Sequence, residues 1–309
     1  MEGRGVLAAM LSSALGGTAV GATRYLAGTL DPIAIGAVRF GGGFLLLLLV
    51  ALARGETWPA RKDWPAVASL GLLFFGLFPI LFNAALIYTT AARGALALST
   101  VPLLTMAAGA LLKVDPPTPR KFVGVLIAMG GVATALGASL AGAPVGTWRG
   151  DLLMLGAALS MAFYNVWSRP FVSRSGPIPF ATFGMGVGAI CLLLLSILSG
   201  GLGPLAILTA PQWLAVVYLA VICGAFIFFL WAYALGKAAP TLVAATVTVN
   251  PVTAALFGTL LLGEPINAKL IVGVVAVLVG ILIASMPFSW RATSRGRLMA
   301  RARPAAPHR

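Results

Sequence analysis

Ser160, Tyr164, Trp167 and Ser168 recur at i, i+4, i+7 and i+8 within an otherwise apolar stretch. A helix there carries all four on one face. Hydroxyls, a phenol and an indole N–H suit the holding of a small molecule better than the breaking of a bond. Asn165 adds an amide, which is costly in hydrocarbon unless it is partnered. Similar groups stand in other apolar runs: Phe78, Asn83 and Tyr88; Ser99; Trp231 and Tyr233; Thr248 and Asn250. These are the candidate substrate-binding residues. The rings have a second reading, because Trp and Tyr near the ends of membrane spans also form interfacial belts.

Residues for covalent or metal chemistry are scarce. The one histidine is His308, at the end of the chain, so neither a His-based metal cluster nor a Ser-His-Asp triad can be assembled. Cys191 and Cys223 lie in separate apolar runs and read as buried free thiols. No GxxxxGK[ST] string is present. The expectation is therefore no catalytic residue, no metal and no cofactor. All seven acidic residues fall at the ends of apolar runs or between them, so no buried carboxylate is expected to carry a proton. Arg39 is the only charge inside a run. An intramembrane arginine costs at least ~3 kcal/mol and needs a partner. It could hold a substrate carboxylate, cap carbonyls of a neighbouring helix or reach the surface near Asp31. Pro102 and Pro251 each remove a backbone donor and free a carbonyl one turn earlier, and are read as hinges.

What positions these groups follows from composition. Of 309 residues, 60% are hydrophobic and 9% charged, and mean hydropathy is +1.02. A water-facing surface needs about a quarter charged residues, so lipid must be the solvent. Ten runs of roughly 20 residues fit the length and leave no room for a separate soluble domain. The expected spans are 5–24, 32–53, 64–87, 92–112, 120–138, 151–173, 178–199, 212–234, 240–262 and 267–288. With the N-terminus inside, sixteen Lys and Arg face the cytoplasm and four face outward, which obeys the positive-inside rule. Both termini are expected to be cytoplasmic. The formal charge of +14 is spread between runs rather than gathered on one face, which argues against a nucleic-acid partner.

The chain also repeats. At an offset of 145, Gly5 matches Gly150, Arg24 matches Arg169 and Pro32-Ile33 matches Pro177-Ile178. At 149, Pro102 matches Pro251, Asp115-Pro116 matches Glu264-Pro265, and Gly124 and Gly131 match Gly273 and Gly280. A unit of five spans, an odd number, forces its second copy into the membrane the other way round. The expected organisation is an all-α membrane protein of ten helices: a first five-helix repeat (1–138), a connecting loop (139–150), an inverted second repeat (151–288) and a basic disordered tail (289–309).

Pro32 and Arg39 on the second helix, Ala85-Leu-Ile-Tyr-Thr-Thr ending the third, Pro102 in the fourth and Leu261-Leu-Gly-Glu-Pro265 form a recognisable set. The chain resembles the EamA branch of the drug/metabolite transporter superfamily and is similar to bacterial aromatic amino-acid exporters. The resemblance implies a basket of ten helices around a central cavity lined by helices 1, 3, 4, 6, 8 and 9. Helix 2 is outside that set, which favours a structural role for Arg39. The expected function is export of small neutral metabolites, aromatic or apolar amino acids foremost, across a bacterial inner membrane by alternating access without obligatory proton coupling. Small molecules and the bilayer are the expected partners, and a monomer suffices. A multidrug or nucleoside-type exporter is the alternative, and a non-transporting scaffold the alternative of another class.

Overall fold

The computed structural model describes residues 2–27, 29–88, 97–136, 148–253 and 268–285. The tail 289–309 and most of the loop 139–150 lie outside the described residues, as do the start of the fourth expected span and the second half of the ninth.

Among the described residues the chain is helical, without strands. We number the helices α1 (Glu2–Ala27), α2 (Pro32–Ala53), α3 (Trp64–Gly71 continuing to Phe78–Tyr88), α4 (Val101–Leu111), α5 (Pro119–Leu136), α6 (Trp148–Ser175), α7 (Pro177–Leu198), α8 (Ala210–Ala220 continuing to Ile227–Lys237), α9 (Pro240–Ala245 and onward) and α10 (Ala268–Ser285). Local chemistry sets several boundaries. Asp31 caps α2, its Oδ1 accepting from Ile33 N at 2.8 Å, and Pro32 supplies a first residue with no N–H to satisfy. Gly176 alone joins α6 to α7, at φ +84°, where a side chain would be strained. Thr209 and Gln212 form a capping box that opens α8.

Among the described residues, four stretches are long and apolar enough to cross a membrane: Pro32–Ala53, Arg61–Ala85, Pro177–Leu198 and Ala210–Lys237. The long helices α1 and α6 are more polar, and the polar face of α6 is buried against other helices rather than lipid. Outward faces are apolar, with Leu45, Leu49, Ile190, Leu194, Leu214 and Leu282 exposed. Both cysteines are free thiols; Cys223 is buried as expected, whereas Cys191 is only half-buried, a correction to the burial expected from its apolar run.

Small residues let the helices approach closely. A Cβ placed on Gly124 would lie 2.5 Å from the carbonyl oxygen of Gly280, and one on Gly131 2.7 Å from that of Gly273. The ascending and descending numbers mean that α5 and α10 run antiparallel. A Cβ on Gly71 would collide with the Gly184 carbonyl oxygen, where α3 meets α7; one on Gly43 would lie 2.8 Å from the Gly224 carbonyl carbon, where α2 meets α8.

Among the described residues, two helices contain a π-helical turn, Leu72–Leu77 in α3 and Val221–Phe226 in α8, separated by the 149 residues of the repeat register. Ile227 N bonds to Ile222 O, five residues back, after which α geometry resumes. The switch passes over the carbonyl of Cys223. Such turns often mark functional positions.

Candidate functional site

The polar face of α6 meets α3, α4 and α8 in one buried cluster. Asn165 is 0% exposed, and its Oδ1 accepts the indole N–H of Trp231 at 3.0 Å. Its Nδ2 points to Thr105 Oγ1 on α4 at 3.5 Å. Tyr164 stacks on Phe74 of α3, with centroids 4.2 Å apart. Phe75 and Phe228 complete the ring assembly, 5.0 Å apart and edge to face. An amide amid rings is therefore satisfied by an indole from a helix 66 residues on, which answers the desolvation cost that the sequence alone exposed.

The remaining candidates divide. Phe78 joins the edge of this cluster, 5.3 Å from Phe74 and 5.8 Å from Phe82. Ser99 is buried. Ser160 and Thr248 are also buried, but their hydroxyls donate to carbonyls of their own helices, Gly156 at 2.9 Å and Ala245 at 2.7 Å. Asn83 ties α3 to α2 by donating to Pro32 O at 3.0 Å. Tyr233 is half-buried beside Phe229, at 6.4 Å. Asn250 is half-buried against Gly16 of α1, and its Oδ1 is buried without a hydrogen-bond partner.

Trp167 and Tyr88 are not brought to the cluster: they are 45% and 48% exposed. On a helical wheel Trp167 lies on the far edge of the Ser160–Tyr164–Ser168 face, and its ring turns outward to stack on Phe163 at 5.1 Å. Belt or lipid contact is the physical account of both rings. The expected chamber is closed at this level, since Tyr164 and Trp231 are 2% and 4% exposed. Ring-on-ring packing occupies the space between the helices.

Arg39 has found a backbone partner. Its Nε and Nη2 donate to the Cys223 carbonyl at 3.3 and 3.0 Å, and the guanidinium lies 5.2 and 5.8 Å from the ring centroids of Phe40 and Phe228. The carbonyl passed over by the π-turn of α8 is thus the acceptor that holds the intramembrane charge.

Both prolines sit just after helix breaks. Ser99–Thr100 is a turn before Pro102, and Thr246–Thr248 is a 3₁₀ turn before Pro251. Each ring removes the donor that would reach back to the carbonyl four residues earlier.

The acids hold one surprise. Asp115, expected to be at the surface, is 3% exposed. It lies at the end of α4, as the sequence placed it, but the start of α9 covers it. Sequence reasoning passed over Asp115 and Thr105 as site residues, and the spacing of Thr105, one turn beyond Pro102, was a usable signal. Phe74 and Phe228, in the same apolar runs as Phe78 and Trp231, were visible through the clustering of aromatic residues in those runs.

The EamA-like transporter family matches the chain twice, over residues 3–137 and 148–286. The uncharacterized transporter YyaM of Bacillus subtilis (strain 168) is 26% identical over 273 residues, 85% of this chain and 87% of the relative. The uncharacterized inner membrane transporter YedA of Escherichia coli (strain K12) is 27% identical over 238 residues, 76% of each. A crystal structure of a protein 23% identical to this one superposes with a TM-score of 0.76, over 91% of this chain and 95% of the other, so the fold is shared.

Proposed function

The chain belongs to the EamA-like transporter family, and on that premise we propose that it moves small neutral metabolites, aromatic and apolar amino acids foremost, outward across a bacterial inner membrane. The observation that carries this reading is the buried cluster of Tyr164, Asn165, Trp231, Phe74 and Phe228. Its hydrogen-bonding groups are an amide, an indole and a phenol. The charge nearest these rings, Arg39, already donates to a backbone carbonyl. Such a lining suits an uncharged or zwitterionic solute with an apolar ring. A sugar phosphate would call for arginines free to fork around its oxygens.

The route is alternating access between two inverted five-helix units. Support comes from the two family matches, from π-turns 149 residues apart and from the reciprocal contacts Gly124–Gly280 and Gly131–Gly273. Exchanging each glycine for its repeat equivalent turns one contact into the other, as an inverted pair requires. The basic residues favour a topology with both termini in the cytoplasm. A single chain contains all these parts, so a monomer suffices.

Movement is facilitated, without obligatory proton coupling. Asp115 is the buried carboxylate among the described residues, and it is engaged by Lys121 and a backbone N–H, away from the aromatic cluster. Counterflow in reconstituted liposomes, with a panel of labelled amino acids and flat aromatic drugs at equal and unequal pH, tests all of this. Exchange of phenylalanine, tryptophan or leucine that is indifferent to a pH gradient is the expected result. Movement of drugs alone would identify a multidrug exporter instead, and accumulation driven by the gradient would refute facilitated transport.

A further inference from the structure

Helix α9 begins at Pro240, which has no N–H, after Ala239, whose methyl side chain cannot cap. The first free donor of that helix is the N–H of Thr241. Its acceptor comes from a residue 126 positions earlier: Asp115 Oδ2, at 3.1 Å. The turn that delivers Asp115 is built for the purpose. Lys113 takes φ +57° to reverse the chain, and the N–H groups of Val114 and Asp115 both return to Gly109 O, at 2.9 and 3.2 Å. A Cβ on Gly109 would lie 3.1 Å from that of Asp115, so glycine lets the turn fold onto α4. The second carboxylate oxygen pairs with Lys121 of α5.

The contact lies on a seam. At the same end, a Cβ on Gly5 of α1 would lie 3.0 Å from those of Lys237 and Ala238, at the α8–α9 junction. Every residue from Pro240 to Thr248 is buried. Residues of the first unit (α1, α4, α5) thus close over residues of the second (α8, α9). Among the described residues, a path between these helices to this end requires their separation.

We propose that Asp115 is the latch of the cytoplasmic gate: its carboxylate, held by Lys121, caps α9 across the two halves and keeps this end shut. Opening to the cytoplasm breaks the Asp115–Thr241 hydrogen bond and withdraws the start of α9 from α1 and α4. The inference rests on the transporter reading and the topology given above. Its test needs no substrate, so the two can fail separately.

Cysteine reporters are placed at Leu242, on the seam, and at Val67, also buried but on α3 against Gly184 of α7, in chains carrying Cys191→Ser and Cys223→Ala. Inside-out vesicles are treated with a membrane-impermeant maleimide. Asp115→Ala is expected to speed labelling of Leu242→Cys about five- to tenfold, the equilibrium factor that one capping contact is worth, and to leave Val67→Cys unchanged. Asp115→Asn retains a carbonyl acceptor for Thr241 and should fall between Asp115→Ala and the parent. Unchanged labelling at Leu242→Cys overturns the latch. Equal acceleration at both reporters also overturns it, because Asp115 would then merely hold the fold together.

Discussion

Two adjacent glycines in α5 should respond to the same substitution with different sign. Gly130 faces outward and a Cβ there would have nothing within 4 Å. Gly131 faces α10, where a Cβ would lie 2.7 Å from Gly273 O, 2.9 Å from Ala276 Cβ and 2.9 Å from Val277 N. The first of these is about 0.7 Å short of the 3.4 Å at which ordinary contact begins. Two of the three atoms are backbone, so relief requires the helices to move apart. Overpacking of this kind costs about 1–3 kcal/mol. Both variants, Gly130→Ala and Gly131→Ala, gain the same helix propensity, about 0.5–1 kcal/mol. That term cancels when they are compared, so their stabilities should differ by about 1–3 kcal/mol, Gly130→Ala being the more stable. Thermal unfolding of the purified protein in one detergent reads the difference as several degrees in Tm. Equal shifts in both variants would refute the close α5–α10 crossing and the inverted pairing built on it.

Trp231→Phe keeps a ring but removes the donor to Asn165 Oδ1. It should cost about 1–3 kcal/mol by stranding a buried acceptor and should slow phenylalanine counterflow, while Trp167→Phe, on the outer face, should leave counterflow intact. Arg39→Met leaves the Cys223 carbonyl without its side-chain donors; Tm should fall by an amount worth about 1–3 kcal/mol, with substrate affinity unchanged in those molecules that remain folded. A fall in affinity at constant Tm would place Arg39 at the substrate instead. Gly5→Cys with Ala238→Cys puts two Cβ positions 3.0 Å apart across the seam, near the span a disulfide accepts. Oxidation should arrest counterflow and a reductant should restore it; full cross-linking with undiminished flux would show that this end does not open.

Much of the helical organisation was legible because lipid imposes one requirement on every span. Backbone donors and acceptors must be satisfied within a helix, so apolar runs of sufficient length become helices whatever their neighbours. Asp31-Pro32 and Gly176-Pro177 announce boundaries by chemistry confined to a few residues. The polar face of α6 was equally visible, because its members are held by helical spacing alone. Trp167 shows where periodicity stops: a residue at the edge of a face can turn either way, and the neighbouring helix decides.

Composition and spacing by themselves determined that this is a chain of membrane helices with a duplicated pattern and uncharged polar groups in its interior. Those are properties of single helices, or of two segments compared in register. The tertiary structure decided what each group meets: Asn165 against Trp231, Arg39 against the carbonyl that a π-turn left over, Asp115 against the bare start of α9. Each of these joins residues at least 60 positions apart, and the partner is a backbone atom or a side chain of ordinary type. Nothing local marks such a partner, because its role arises only when helix packing brings an unsatisfied donor within reach of an unsatisfied acceptor.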